Sequence, residues 1–411
     1  MDVPSPRRSL TGPPPSRAVA SDRWFQPGPV AYAVATLTWL LLMLRQVPCL
    51  VAPGLQYKAL CYSDITALWG PREIDLGKIP YLETELEYPV LTGAFIYGVR
   101  QLSGLLGPVP SSLSFFGLTA VLLFVCFLGL VAVHVRLGGR WDALAVAGSP
   151  LVLATGLINW DLLPLVLTAG ALLAWERRSP TWAGVLIGLG TAAKLYPALL
   201  FLPLLVICAR ERRWLPALRA VAGAAVAWLA VNLPVFLASP DGWLHFYTFN
   251  RGRGADLGSI WLVLQGLNVP AADVSVLFMG SFALGALALA LVFWVAPTPP
   301  RLAQGAFLVV LLFCLVNKVY SPQYMLWLLP LLVLARPVKL DLVVFTVGEL
   351  TYWFAIWPYL DSALFAGDGR PVLYWCAVLV RVVAQVWVGA RVLRDLLQPR
   401  PSARPAEVQA R

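Results

Sequence analysis

Long apolar runs recur from residue 31 to residue 393, and charged side chains are largely confined to the short gaps between these runs. Apolar residues make up 59% of the 411 and charged residues only 13%, whereas soluble domains are about 45–50% apolar and about 25% charged. A soluble core does not need so much apolar surface. The chain is therefore predicted to be an all-α polytopic membrane protein, with the lipid bilayer as a partner and one transmembrane domain over residues 29–393.

Both ends of the chain differ from this pattern. Residues 1–28 are rich in Pro, Ser and Arg and are predicted to form a disordered cytoplasmic tail. Residues 394–411 are predicted to form a C-terminal cytoplasmic tail. The run 31–52 is interpreted as an uncleaved first span, because the segment before it is too long and too rich in proline for a signal peptide.

The net charge of +10 comes mainly from arginines in the gaps between apolar runs. Clusters in such gaps follow the positive-inside rule of membrane topology and argue against nucleic-acid binding. With these turns in the cytoplasm, about 12 helices cross the membrane and both termini lie inside, provided that residues 89–106 form a re-entrant or surface helix. The alternative is a true crossing at 89–106 together with a different division of residues 182–208.

The six cysteines and two histidines have no spacing typical of a metal site, so no metal and no cofactor is predicted. Most cysteines lie inside spans, where they act as small apolar side chains. Cys49 and Cys61 flank the outer end of the first span, which leaves a disulfide between them as the minor alternative.

Five polar segments interrupt the apolar pattern on the face opposite the arginine turns: 53–88, 159–161, 194–197, 238–273 and 317–324. Irregular backbone at membrane depth is tolerated only inside protein or around a wet cavity. Several such breaks on one face predict a functional site there, on the non-cytoplasmic side.

Four cations in these segments are candidates for binding a phosphate or pyrophosphate group: Lys194, Arg251, Arg253 and Lys318. A lysine between two apolar runs is costly and is functional by default. The alternative for Lys194 is a lysine that snorkels to the interface. For the two arginines the alternative is contact with lipid headgroups.

The acidic residues and their neighbours likewise have either a functional or a purely structural interpretation. Asp64, just after the first span, is a candidate general base, or else a solvated acid or helix N-cap. Glu87-Tyr88 and Asn159-Trp160-Asp161 each begin an apolar run. They are candidates for contacting a sugar, although capping and interface anchoring explain them as well. Glu349 is predicted to pair with Arg381 rather than to catalyse.

The order of motifs is YSDI and EYP in the first loop, then NWD, GLGTAAKLYP, RGRGADLGSIW and NKVYSPQYMLWLLPLL. Over roughly residues 30–390 this order resembles glycosyltransferase family 87. That family is the group of polyprenyl-phosphate-mannose-dependent α-1,2-mannosyltransferase-like proteins within the GT-C superfamily. The resemblance implies a GT-C-type fold with a large first external loop.

The resemblance also implies a mechanism and the residues that carry it. The donor is a polyprenyl monophosphate sugar, the acceptor is a glycolipid or cell-envelope glycan, and transfer proceeds with inversion. Asp64 takes the role of the loop base and Lys194 that of the leading contact to the donor phosphate. Tyr196, Tyr320 and Gln323 join the substrate-binding candidates.

One departure from the family concerns the sugar. Some members carry histidines shortly after the late Ser-Pro element, whereas the stretch 323–327 has none here. Mannose is the expected sugar, and arabinose is the alternative within the family. A transporter or flippase for a lipid-linked envelope precursor is the alternative of another class. The sequence has no evident internal repeat of the kind common in transporters, and its large acidic loop favours the enzyme.

Overall fold

The computed structural model describes residues 27–52, 54–107, 111–139, 141–269, 273–365, 367 and 369–398. The predicted tails therefore lie largely outside the described residues. Where the tails are described, their boundaries are helical. Residues 27 and 28 begin the first helix, and the last helix continues to Leu397, beyond the predicted boundary at 394.

The described part of the chain is mainly helical, as predicted. Its helices, in chain order, are α1 (Pro27–Val51), α2 (Asp64–Ala67), α3 (Val90–Ser103), α4 (Ser112–Leu137), α5 (Ala143–Ala147), α6 (Pro150–Thr155), α7 (Leu162–Glu176), α8 (Pro180–Ala193), α9 (Phe201–Arg210), α10 (Trp214–Ala238), α11 (Pro240–Gly252), α12 (Ile260–Gly266), α13 (Val274–Val295), α14 (Leu302–Val316), α15 (Met325–Ala335), α16 (Lys339–Leu360) and α17 (Val372–Leu397).

Six of these helices are long and apolar enough to cross a bilayer: α1, α4, α10, α13, α16 and α17. They have 22–26 residues, and a helix that rises about 1.5 Å per residue needs about 20 residues to cross. Other apolar helices are shorter, and several of them end at a predicted polar break: α8 ends before Lys194 and α14 before Asn317. The count of about 12 crossings stays a prediction.

Helix α8, which leads to Lys194, packs very closely against α10. A Cβ atom at Gly184 would lie 1.9 Å from the carbonyl oxygen of Ala220, and one at Gly188 would lie 2.4 Å from that of Ala224. Small residues that let two backbones approach in this way are typical of helix pairs in membranes. The contact fixes α8 and therefore the break that follows it.

The first part of the first loop is bound to α1 by a disulfide and to the segment before α7 by hydrogen bonds. Cys49 and Cys61 form a disulfide, so the expectation that these two cysteines are separate thiols is wrong. Ser63 donates to the carbonyl oxygen of Leu157 at 2.5 Å, and the amide of Asp64 donates to that of Ile158 at 2.6 Å. These bonds place Asp64 against the segment that precedes α7.

A pair of two-residue strands is the exception to the all-α prediction. Strand β1 (Asp256–Leu257) pairs in parallel with β2 (Val319–Tyr320). The pairing joins two of the polar segments, which are about 60 residues apart in the chain. It brings the loop that follows α11 beside the segment between α14 and α15.

The predicted pairing of Glu349 with Arg381 is confirmed. Their side chains are fully buried between α16 and α17, with Arg381 Nε 2.8 Å from Glu349 Oε2. The Arg381 guanidinium lies over the ring of Tyr320, with Cζ 3.3 Å from the centroid, and donates to the Tyr320 carbonyl oxygen at 3.4 Å. The ion pair therefore supports β2 from inside the helix bundle.

Candidate active site

A cavity of about 600 Å³ lies where the polar segments meet. Four of the five predicted segments contribute to its wall, through Asp64, Lys194, Arg253 and Lys318 among others. The fifth segment, Asn159-Trp160-Asp161, lies directly behind the wall. The convergence expected from the sequence therefore appears as one shared cavity.

Asp64 is held in the cavity wall by two tyrosines. Its Oδ1 accepts a hydrogen bond from the Tyr62 hydroxyl, and its Oδ2 accepts one from the Tyr88 hydroxyl, each at 2.7 Å. Burial raises the pKa of Asp64 above its usual value, although both tyrosine hydrogen bonds and the nearby Lys194 oppose this rise. A carboxylate with a raised pKa is a stronger base, and its fixed position suits proton abstraction.

Tyr62 was not among the residues that the sequence pointed to, although it stands two residues before Asp64. Burial and the neighbouring Asp64 raise the pKa of both Tyr62 and Tyr88, so both phenols keep their protons. Each hydroxyl therefore acts as a donor to the carboxylate. Tyr88, a predicted substrate contact, lines the cavity and also positions Asp64.

Lys194 is paired with a carboxylate. Its Nζ lies 3.0 Å from Asp161 Oδ1 and 4.8 Å from the centroid of the Tyr88 ring. The other oxygen of Asp161 accepts from Trp327 Nε1 at 2.9 Å. Asn159 accepts from the amide of Asp161 and is itself buried. The two predicted sugar contacts Asn159 and Asp161 thus support Lys194 and do not line the cavity.

An aromatic stack lines the cavity beside Lys194. Tyr196 and Trp327 are stacked with centroids 4.5 Å apart, and the rings of Tyr324 and Trp327 are stacked with centroids 3.7 Å apart. Sequence reasoning missed Trp327 and Tyr324. The sequence did contain a signal, since Tyr324 and Trp327 are three residues apart, a spacing that puts two side chains on the same face of a helix.

A second group of cations lies on the β1–β2 side of the cavity. Lys318 Nζ donates to the carbonyl oxygen of Arg251 and to Ser275 Oγ, both at 2.9 Å. Arg253 lines the cavity beside it and contacts Asp256 at 2.5 Å. The side chain of Arg251 is exposed and is absent from the cavity wall, so only its carbonyl group takes part in this cluster.

Of the remaining predicted residues, two line the cavity and one lies behind its wall. Glu87 and Gln323 line the cavity, and Glu87 forms a two-point contact with Arg72 at 2.7 and 3.2 Å. Tyr320 is buried under Arg381 and accepts a hydrogen bond from Gln385 at 2.6 Å. It supports the wall from behind and does not form part of the surface of the cavity.

A cavity with a fixed carboxylate, two sets of cations and many aromatic rings is suited to a phosphate-bearing sugar. A family model described as glycosyltransferase family 87 matches residues 88–317, more than half of the chain. The match includes Tyr88, Lys194 and Arg253, while Asp64 precedes it and Lys318 directly follows it. No curated protein matches the chain. The chain belongs to glycosyltransferase family 87 and is a membrane glycosyltransferase.

Proposed function

We propose that this enzyme transfers a sugar, mannose in the first instance, from a polyprenyl monophosphate donor to a hydroxyl of a glycolipid or cell-envelope glycan. One observation carries the proposal: the carboxylate of Asp64 shares one cavity with the cations Lys194, Arg253 and Lys318. The acceptor oxygen attacks the anomeric carbon, and the bond from that carbon to the phosphate oxygen breaks. Asp64 takes the hydroxyl proton, and polyprenyl phosphate leaves with the electron pair. Attack opposite the leaving group inverts the anomeric centre.

The proposed location is the plasma membrane (the inner membrane), with the active site on the extracytoplasmic face. The Cys49–Cys61 disulfide joins the end of α1 to the loop that carries Asp64, and disulfides persist mainly in oxidising compartments. Arg177 and Arg178 precede α8 while Lys194 follows it. The 14 residues of α8 separate the arginine turn from the cavity by about 21 Å at 1.5 Å per residue. Both observations support the same orientation.

The test uses purified enzyme in lipid nanodiscs, a synthetic short-chain polyprenyl phosphate mannose and a glycolipid acceptor. We expect Asp64→Asn to lower kcat by about 10²- to 10⁴-fold, the usual contribution of a general base. The matched control is Asp75→Asn, an exposed acid of the same loop that does not line the cavity. NMR of the product gives the anomeric configuration. Near-normal turnover of Asp64→Asn, or a product with retained configuration, contradicts the proposal.

A further inference from the structure

Besides Tyr88 and the stack of Tyr196, Tyr324 and Trp327, the cavity wall contains two chemically different groups of aromatic rings. One group consists of phenylalanines near Lys318 and Arg253: Phe246, Phe249, Phe278 and Phe313. Arg253 Cζ lies 5.8 Å from the Phe249 ring centroid, and Phe278 and Phe313 contact each other at 5.8 Å. The other group, Tyr57, Tyr62 and Trp357, is called the aromatic wall below. Each ring of the aromatic wall carries a polar N–H or O–H group.

The three rings of the aromatic wall are close to parallel. Tyr57 and Tyr62 have centroids 6.0 Å apart and an interplanar angle of 24°. Trp357 lies 6.4 Å from Tyr57 and 5.9 Å from Tyr62, at angles of 21° and 36°. Trp357 is almost fully buried, whereas both tyrosines are partly exposed. The tyrosines therefore offer the accessible faces, and the indole supports them.

The aromatic wall adjoins Asp64, because the Tyr62 hydroxyl donates to its Oδ1 at 2.7 Å. A molecule lying on Tyr57 and Tyr62 is thus next to the carboxylate. The indole N–H of Trp357 has no hydrogen-bond partner within the described part of the chain, and a buried donor without a partner is costly. These features favour a ligand that has both an apolar face and polar edges.

We propose that the aromatic wall is the acceptor subsite, and that the acceptor is a carbohydrate ring stacked on it with one hydroxyl directed at Asp64. A sugar ring has C–H groups on its faces, which suit the electron-rich face of an aromatic ring, and hydroxyls around its edge. An isoprenoid chain has no group for the polar edges, and the phenylalanines beside the cations suit it better. The inference rests on the proposed function, since it takes Asp64 as the base.

The position of Tyr57 is fixed by the covalent structure of the loop. It lies between Cys49 and Cys61, inside the segment that their disulfide closes. Its carbonyl oxygen accepts from the amide of Leu60 at 3.4 Å. A subsite held in place before the ligand arrives loses less conformational entropy on binding. The disulfide therefore prepares the aromatic wall as well as placing Asp64.

The test measures binding without turnover, in full-length enzyme that carries Asp64→Asn. The probes are octyl glycosides of mannobiose and arabinobiose, titrated by calorimetry. We expect Tyr57→Leu, which keeps apolar bulk but removes the ring, to raise the Kd of the better probe roughly three- to tenfold. Tyr57→Phe, which keeps the ring, should bind the probe as tightly as the parent, which is the enzyme that carries Asp64→Asn alone. Tyr32→Leu, at an exposed tyrosine of α1, is the matched control and should also bind like the parent.

Three results overturn the inference. The first is unchanged probe binding by Tyr57→Leu. The second is weaker binding of polyprenyl phosphate to Tyr57→Leu with the probe unaffected, which assigns the aromatic wall to the donor chain. The third is the absence of saturable binding of either probe to the parent. Failure of the general-base proposal appears instead in the turnover of Asp64→Asn, so the two failures are distinguishable.

Discussion

Lys194 and Lys318 lie in the wall of the same cavity, but different groups surround them. Lys194 faces Asp161 at 3.0 Å and the ring of Tyr88. Lys318 donates to a carbonyl oxygen and to a hydroxyl, both neutral. Within the described part of the chain, no carboxylate lies within ion-pair distance of Lys318. The charge of one lysine is compensated internally, whereas that of the other is available to a ligand.

This difference changes the order of the phosphate-binding candidates. The family resemblance put Lys194 first, but an incoming phosphate would have to compete with Asp161 for it. Lys318 and Arg253 together carry two cations against the one carboxylate of Asp256, which is itself half-exposed. We therefore propose Lys318 as the phosphate contact. Lys194 holds Asp161 and Tyr88 in place, and Tyr88 in turn holds Asp64.

The largest effect should come from separating Lys194 from its partner. Lys194→Met leaves Asp161 charged and buried, and removing one member of a buried pair costs about 3–5 kcal/mol of the free energy of unfolding. We expect about 3 kcal/mol, the lower end of that range, since the Lys194 side chain is 15% exposed at the cavity. Unfolding by SDS titration in mixed micelles measures the change.

The matched control for this experiment is the double variant Asp161→Asn/Lys194→Met, which removes both charges. It should recover most of the lost stability, because no unpaired charge remains. If Lys194→Met alone is as stable as the parent and shows only a raised KM for the donor, Lys194 contacts the phosphate and the comparison with Lys318 is wrong.

A smaller effect is expected for Lys318, and it should appear in donor kinetics. Lys318→Met should lower kcat/KM for the polyprenyl phosphate donor by roughly 10- to 150-fold, the equivalent of a hydrogen bond to a charged group of about 1.5–3 kcal/mol. Arg251→Ala is the control from the same cluster, because its side chain points away from the cavity. Equal losses in the two variants would mean that general positive potential, and not contact, is responsible.

Much of the arrangement was predictable from the sequence because membrane burial restricts where polar groups are tolerated. A charge inside an apolar run must face a partner or a wet cavity. This reasoning brought Asp64, Lys194, Arg253 and Lys318 to one face and paired Glu349 with Arg381. It also favoured the one-sided clustering of the polar breaks. These predictions depend only on which segments lie in the membrane, and the apolar runs along the chain show that directly.

Which side chains pair with each other was not predictable in this way, because such pairing depends on packing between distant segments. Nothing in the sequence links Asp161 to Lys194 or Asp64 to Tyr88 in preference to other pairs. The strands β1 and β2 are too short for a period-two pattern to show. The Cα atoms of Cys49 and Cys61 lie 5.9 Å apart, close enough for a disulfide, but their spacing in the sequence does not reveal this distance. Arg251 and Arg253 look equivalent in sequence, yet only one lines the cavity.

The smallest expected effect is a gain of stability on removing the charge of Asp64. Burial raises the pKa of this carboxyl in the folded state, so its ionised form costs stability at pH values above that raised pKa. We expect Asp64→Asn to increase the free energy of unfolding by about 0.5–1 kcal/mol at pH 7.5, within the usual range of stabilising replacements. Glu87→Gln is the control. Glu87 is ion-paired with Arg72, so its loss should lower stability instead.

The dependence of this gain on pH separates the charge of Asp64 from other causes. As pH falls through the raised pKa towards about 3.9, the unfolded value, folded Asp64 becomes protonated first and the penalty disappears. The stability difference between Asp64→Asn and the parent should therefore shrink over that interval. The turnover of the parent should fall over the same interval, because the protonated carboxyl cannot accept the acceptor proton. A stability difference that stays constant from pH 7.5 down to pH 4 would show that packing, and not the ionised base, sets the stability of this part of the cavity.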